Sequence, residues 1–139
     1  MLRKASIKRN GEVVDEEKPI NLENQTPSAV KALWNAFCYS MSGLQVAITE
    51  RAFKLEIMLA CVVIPLALYL ADNGVERALM IGSVMLVLIV ELLNSGIESA
   101  IDRISLERHP LSKKAKDMGS AAVLLALLNW AIVWGCVLL

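Results

Sequence analysis

Histidine and cysteine are scarce in this chain, and charge of either sign is not in excess: 139 residues carry one His, three Cys and a formal net charge of zero. Each shortage removes a class of function. With His109 alone and no Cys-x-x-Cys, the residue types and spacings of a zinc site or a dithiol redox centre are missing. Cys38, Cys61 and Cys136 are odd in number, far apart and set in apolar or amphipathic surroundings, which predicts buried free thiols rather than a disulfide or a metal site. Balanced charge offers no electrostatic footprint for nucleic acid. Neither Gly-x-x-x-x-Gly-Lys-Ser/Thr nor Gly-x-Gly-x-x-Gly occurs, so the soluble nucleotide folds built on those loops are excluded. Residues 1–25 hold no apolar run, and a cleavable signal is therefore not expected.

What is abundant is apolar. A hydrophobic fraction of 56% and a mean hydropathy of +0.54 alongside 20% charged residues require the charges to be segregated from long apolar runs. The expected fold is an all-α membrane protein, with an N-terminal amphipathic interfacial helix followed by three transmembrane helices. Residues 1–25 read as a polar, mostly disordered extension, and residues 26–139 as the membrane domain. From about 28 to 48, Val30, Leu33, Trp34, Phe37, Met41 and Leu44 recur at helical spacing, with Lys31, Asn35, Ser42 and Gln45 opposite. Thr26 or Ser28 is the candidate N-cap. Such a stripe also suits an ordinary core helix; the composition that follows favours one lying on a membrane surface.

The first spanning helix is expected at about 53–71, ending at the turn signal Asp72-Asn73-Gly74. The second covers about 75–104, longer than the roughly 20 residues that cross hydrocarbon, so one end must protrude. The third, about 113–139, is free of charge from Met118 onward and carries Trp130 and Trp134 where an interfacial aromatic belt would lie. Between the first two spans Arg77 is accompanied by Asp72 and Glu76, whereas the next connection gathers Arg103, Arg108, Lys113, Lys114 and Lys116. The positive-inside rule makes that basic connection cytoplasmic, with the N-terminus inside and the C-terminus outside.

Within the second span, MLVLIVELLNSGIESAIDRI admits Glu91, Asn94, Glu98 and Asp102. At roughly 100° per residue these fall within about 60° of one another, with Ser95 on the same side. A carboxylate in hydrocarbon costs roughly 3 kcal/mol on translocon scales, so such residues default to a functional reading, although a polar stripe can also glue helices together. Glu91 lies roughly 21 Å from Arg77 along the helix, in the cytoplasmic half of the bilayer, and Glu98, Asp102 and Glu50 gather toward the same surface. Membrane carboxylates facing LSKKAKDMGSAA, with Lys113, Lys114, Lys116, Asp117, Gly119 and Ser120 at a helix start, meet the needs of phosphoryl transfer to a lipid hydroxyl. Carboxylates hold Mg²⁺, which bridges substrate phosphates through one or two protein ligands. Lysines and a helix N-terminus hold phosphate, and a carboxylate at head-group depth serves as base. Otherwise the basic segment is only a topological anchor.

The strings VMLVLIVELLNSGIESAIDRI and HPLSKKAKDMGSAAVLLA, with YSMSGLQVAITERAFKLE before them, resemble the prokaryotic diacylglycerol kinase family from about residue 36 to the C-terminus. The resemblance implies a small integral-membrane lipid kinase of the bacterial inner membrane, transferring the γ-phosphate of MgATP in line to diacylglycerol, as a homotrimer with shared sites. It implies Glu91 as the catalytic base and as part of the substrate site with Glu56 and Ser120. Glu50 and Glu98 would hold Mg²⁺ with the nucleotide, and Tyr39, Asn94, Glu107, His109, Lys116 and Asp117 would surround ATP. Between Gly43 and Glu50 the chain is one residue shorter than the family pattern, which leaves Glu56 open as the alternative ligand, and Lys31 is the nearest counterpart of a basic residue before the amphipathic helix. An oligomer is also expected because three helices in a row would not hide Glu91, Asn94 and Glu98 from lipid, and Ser95, Gly96, Ser99 and Ala100 allow close helix approach. Undecaprenol is an alternative substrate. An ion-coupled transporter is the alternative of another class, disfavoured because the acids cluster at one face and no internal repeat is evident. A non-enzymatic scaffold would leave the acids unexplained.

Overall fold

Residues 28–104, 107 and 109–139 are described by the structure, a computed structural model. The extension expected over 1–25, the domain boundary after it and the Thr26 cap lie outside the described residues. Those residues form four helices and no strand: α1 (Ala29–Ala47), α2 (Arg51–Leu70), α3 (Gly74–Ile104) and α4 (Pro110–Leu138). The chain divides into two units, with the boundary in sequence between Phe37 and Cys38.

In the first unit, Ser28 Oγ accepts the Lys31 N–H at 3.4 Å, satisfying one of the free donors at the start of α1. Val30, Leu33, Trp34 and Phe37 are all more than half exposed. Within this unit they form an apolar face of the kind a membrane surface accepts.

In the second unit, the turn between α2 and α3 is built by Asn73 and Glu76. Asn73 Oδ1 accepts from the N–H groups of Val75 (3.0 Å) and Glu76 (3.1 Å), while the Glu76 carboxylate takes the Asp72 N–H at 2.8 Å and the Asn73 amide at 2.7 Å. This reciprocal cap stabilises the helix start by roughly 1 kcal/mol and fixes where α2 stops. Gly74, part of the expected turn, is the first residue of α3. α4 begins three residues before the expected position, at Pro110 rather than 113. His109 Nδ1 accepts the Leu111 N–H at 3.2 Å, and Pro110 occupies a first-turn position where no N–H is needed.

α3 packs against both α2 and α4. Ala60, Val63 and Ala67 of α2, Met80 and Val84 of α3 and Trp134 of α4 form the buried core, the alanines letting backbones approach. Outside it, large apolar residues such as Leu59, Val62, Leu93 and Leu125 are exposed. α2, α3 and α4 are each long and apolar enough to cross a membrane, and α3, at roughly 46 Å, exceeds the hydrocarbon thickness.

Two expectations need correction. Cys38, Cys61 and Cys136 are free thiols, but all three are exposed rather than buried. In a membrane protein the outer face is as apolar as the core, so apolar sequence neighbours do not reveal which way a thiol points. Trp134, expected in an aromatic belt, is buried and donates its indole N–H to Met80 O at 3.3 Å. Trp130 packs beside it with ring centroids 5.9 Å apart, its indole nitrogen also buried. The interhelical carbonyl of Met80 gives the Trp134 indole N–H inside the bundle the partner that a headgroup would otherwise supply, whereas Trp130 Nε1 has no hydrogen-bond partner among the described residues.

Candidate active site

The acidic stripe of α3 is graded in depth. Glu91 is 5% exposed and Asn94 9%, Glu98 is half-buried, and Asp102 is exposed. A single chain therefore hides Glu91 and Asn94 between its own helices, which corrects the expectation that three helices could not. The reason is that α3 lies between α2 and α4 and is covered from both sides. Oligomerisation is thus not required to bury these two, although Glu98 remains partly open, and Gly96, Ser99 and Ala100 present an uncovered face of small residues beside it.

Neighbouring members of the stripe are joined. Asn94 Nδ2 donates to Glu98 Oε1 at 3.4 Å, a long contact one helical turn apart. That orientation leaves Asn94 Oδ1 buried without a hydrogen-bond partner, turned toward Gly119 of α4. One turn before Gly119, Lys116 Nζ meets Asp102 Oδ1 at 2.6 Å, so the basic opening of α4 is tied to the outer end of the stripe. Lys113 and Asp117, four residues apart on α4, form a second ion pair at 2.5 Å.

From α2, Glu56 approaches the same group. Its Oε2 is buried without a partner, and the Glu91 and Glu56 carboxylates act on each other electrostatically. Glu56 also edges a pocket of about 30 Å³ between α2, α3 and α4, walled by Leu59, Val84, Val87, Leu127 and Trp130. An apolar pocket edged by a carboxylate in a membrane-spanning bundle is amphipathic in the way a lipid head is.

The other expected site residues are placed differently. Tyr39 on α1 and Glu50 at the α2 N-cap are exposed, and among the described residues no hydrogen bond or ion pair ties either to Glu91, Asn94 or Glu98. Ser120 is exposed on α4, and Glu107 is exposed in the connection before it. His109 is exposed and is engaged as the α4 cap through Nδ1. Among the described residues no three His, Cys, Asp or Glu side chains converge into a preformed metal cage. Glu91, Glu98 and Asp102 present carboxylate oxygens along α3, the donor type that Mg²⁺ takes one or two at a time together with substrate phosphates. The Gly119 contact and the Trp134 anchor were missed from sequence. Gly119 stands in the KDMGSAAV string, but nothing in the string says what faces it.

The fold and this site define an all-helical membrane protein with a carboxylate and amide group enclosed between helices at one end of the bundle. Residues 38–138 match the prokaryotic diacylglycerol kinase family, and the chain belongs to that family. It is 50% identical over 107 residues to the diacylglycerol kinase of Haemophilus influenzae, covering 76% of this chain and 91% of that one. With the diacylglycerol kinase of Pseudomonas aeruginosa it shares 49% over 122 residues, 87% and 98% of the two chains, and with that of Escherichia coli 50% over 102 residues, 73% and 83%. The transporter and scaffold alternatives are set aside by these matches. Three apolar helices and the family fit a multi-pass protein of the bacterial inner membrane.

Proposed function

We infer that the chain is a diacylglycerol kinase that uses ATP to phosphorylate the lipid's free hydroxyl, giving phosphatidate and ADP. The observation that carries the reading is Glu91, a carboxylate only 5% exposed inside a membrane bundle, flanked by Asn94 and with Glu98 two turns away. A kinase for a membrane-dissolved alcohol needs its base at head-group depth and its phosphate-binding groups nearer water, and the stripe has that gradient.

In the proposed reaction Glu91 takes the hydroxyl proton, the freed oxygen bonds to the γ-phosphorus in line, and the bond to the ADP oxygen breaks. No phosphoenzyme forms, and His109, engaged as a cap, is not needed as a nucleophile. Glu98, with Glu50 or Glu56, would hold Mg²⁺, which when bound neutralises phosphate charge. Lys116 offers its ammonium to the phosphates, and Asn94, Tyr39, Glu107, His109 Nε2 and Asp117 would surround the nucleotide. Glu56 and Ser120 would line the lipid side, with the small apolar pocket beside Glu56 receiving the first carbons below the head group.

Tyr39 and Glu50 are exposed on their own chain, which favours sites completed between subunits, and a homotrimer accords with the uncovered Gly96, Ser99 and Ala100 face. The basic connection before α4 supports an orientation with the active end in the cytoplasm, where ATP is, the N-terminus on that side and the C-terminus across the membrane. Undecaprenol is not favoured as the acceptor, since the relatives matched are named for diacylglycerol. Transfer of labelled γ-phosphate from ATP to short-chain diacylglycerol and to undecaprenol, compared in mixed micelles, tests the reading. Diacylglycerol should be the better acceptor, and labelling of undecaprenol alone would overturn the assignment.

A further inference from the structure

Six glycines lie among the described residues, and five of them, Gly43, Gly74, Gly82, Gly96 and Gly135, would meet nothing within 4 Å if a Cβ were added. Gly119 is the exception. A Cβ there would overlap Asn94 Oδ1 and come within 3.3 Å of Asn94 Cγ. Gly119 is buried in the middle of a regular helix, so it is not needed for a turn. Its neighbour across the interface is the buried amide whose other end donates to Glu98. The amide cannot easily turn away, because exchanging its two ends would set Oδ1, an acceptor, against the Glu98 carboxylate, also an acceptor.

We propose that Gly119 is a positioning residue: by presenting no side chain it seats the Asn94 amide against α4, and the seated amide in turn orients Glu98. Shape alone does the seating, since Asn94 Oδ1 has no hydrogen-bond partner. The pairing also lies one turn from Lys116, the residue proposed above to meet phosphate, so the same helix would set the register of both halves of the nucleotide site. This inference rests on the reading of Asn94 and Glu98 as groups that face nucleotide and metal.

A double-mutant cycle tests it. Gly119→Ala, Asn94→Ala and the double variant are made in the full chain, with Gly135→Ala as a control on the same helix. Two quantities are read: resistance to unfolding by denaturing detergent, and the free Mg²⁺ concentration giving half-maximal transfer at saturating ATP and diacylglycerol. Gly119→Ala should lower resistance in the presence of Asn94 and have no effect in the Asn94→Ala background, because the overlapping atoms are gone. This holds even if Gly119→Ala alone fails to fold, since the second substitution should then restore folding. Where Gly119→Ala folds, its Mg²⁺ midpoint should rise several-fold while the KM for diacylglycerol stays within twofold, and Gly135→Ala should be silent in both assays.

Additive losses across the cycle would overturn the seat. A coupled cycle with an unmoved Mg²⁺ midpoint in Gly119→Ala would overturn its positioning role, provided that Glu98→Gln does move the midpoint. If Glu98→Gln leaves the midpoint unchanged while the cycle couples, the seat for Asn94 is upheld and the metal reading of Glu98 fails instead.

Discussion

Lys116 Nζ lies 2.6 Å from Asp102 Oδ1, joining the basic first turns of α4 to the outermost acid of the α3 stripe. Both side chains are substantially exposed, 37% and 50%. An exposed pair of this kind contributes about 0–1 kcal/mol, so stability is not its main consequence. It holds an ammonium at the mouth of the acidic stripe, where, in the proposed reaction, a nucleotide phosphate would displace the carboxylate.

Lys116→Met should therefore raise the KM for MgATP by about 10–100-fold, the range for losing one charge-assisted hydrogen bond, with the KM for diacylglycerol little changed. Asp102→Asn should leave both within about threefold, as expected for an exposed pair. Steady-state kinetics in mixed micelles checks this. Equal damage from the two substitutions would mean that Lys116 serves the ion pair rather than the nucleotide.

Glu98→Gln should raise the Mg²⁺ requirement as well as depress the rate, because an amide binds a hard cation far less well than a carboxylate. The readout is activity against free Mg²⁺ at saturating ATP. A slower enzyme with an unchanged midpoint would pass the metal role to Glu50, Glu56 or Asp102.

Trp134→Phe removes the indole donor to Met80 O and should lower stability by about 1–2 kcal/mol, measured by unfolding in denaturing detergent, with turnover within twofold. The bond sits at the far end of the core from Glu91 in sequence register, eleven residues along α3. A fully stable Trp134→Phe would restore the belt reading.

A chain beginning at Thr26 should retain specific activity within a few-fold, since residues 1–25 are polar and the family match begins at 38. An inserted but inactive truncation would place the extension in the site.

The helices were legible because hydropathy and period are strong signals in a membrane protein. Asn73 and Glu76 even spell a capping box three residues apart, readable in advance. What sequence could not give was which side of a uniformly apolar helix faces inward. That is why Cys61 and Cys136 were expected to be buried, Trp134 was expected at a belt, and the covering of Glu91 by α2 and α4 was not foreseen. The stripe itself was readable, since Glu91, Asn94, Glu98 and Asp102 follow helical period. The seat for Asn94 was not, because it depends on the register of α4 against α3, which no local pattern encodes.

The central claim is that the buried Glu91 is the base of a lipid kinase, and phosphoryl transfer by Glu91→Gln tests it most directly. The substitution keeps size and hydrogen-bonding capacity and removes a carboxylate that is costly to bury, so the protein should fold and insert normally. Labelled γ-phosphate transfer from ATP to short-chain diacylglycerol should fall by about 10²–10⁴-fold, the contribution of a positioned base, with little change in the KM for either substrate. Turnover near that of the unaltered protein would contradict the assignment.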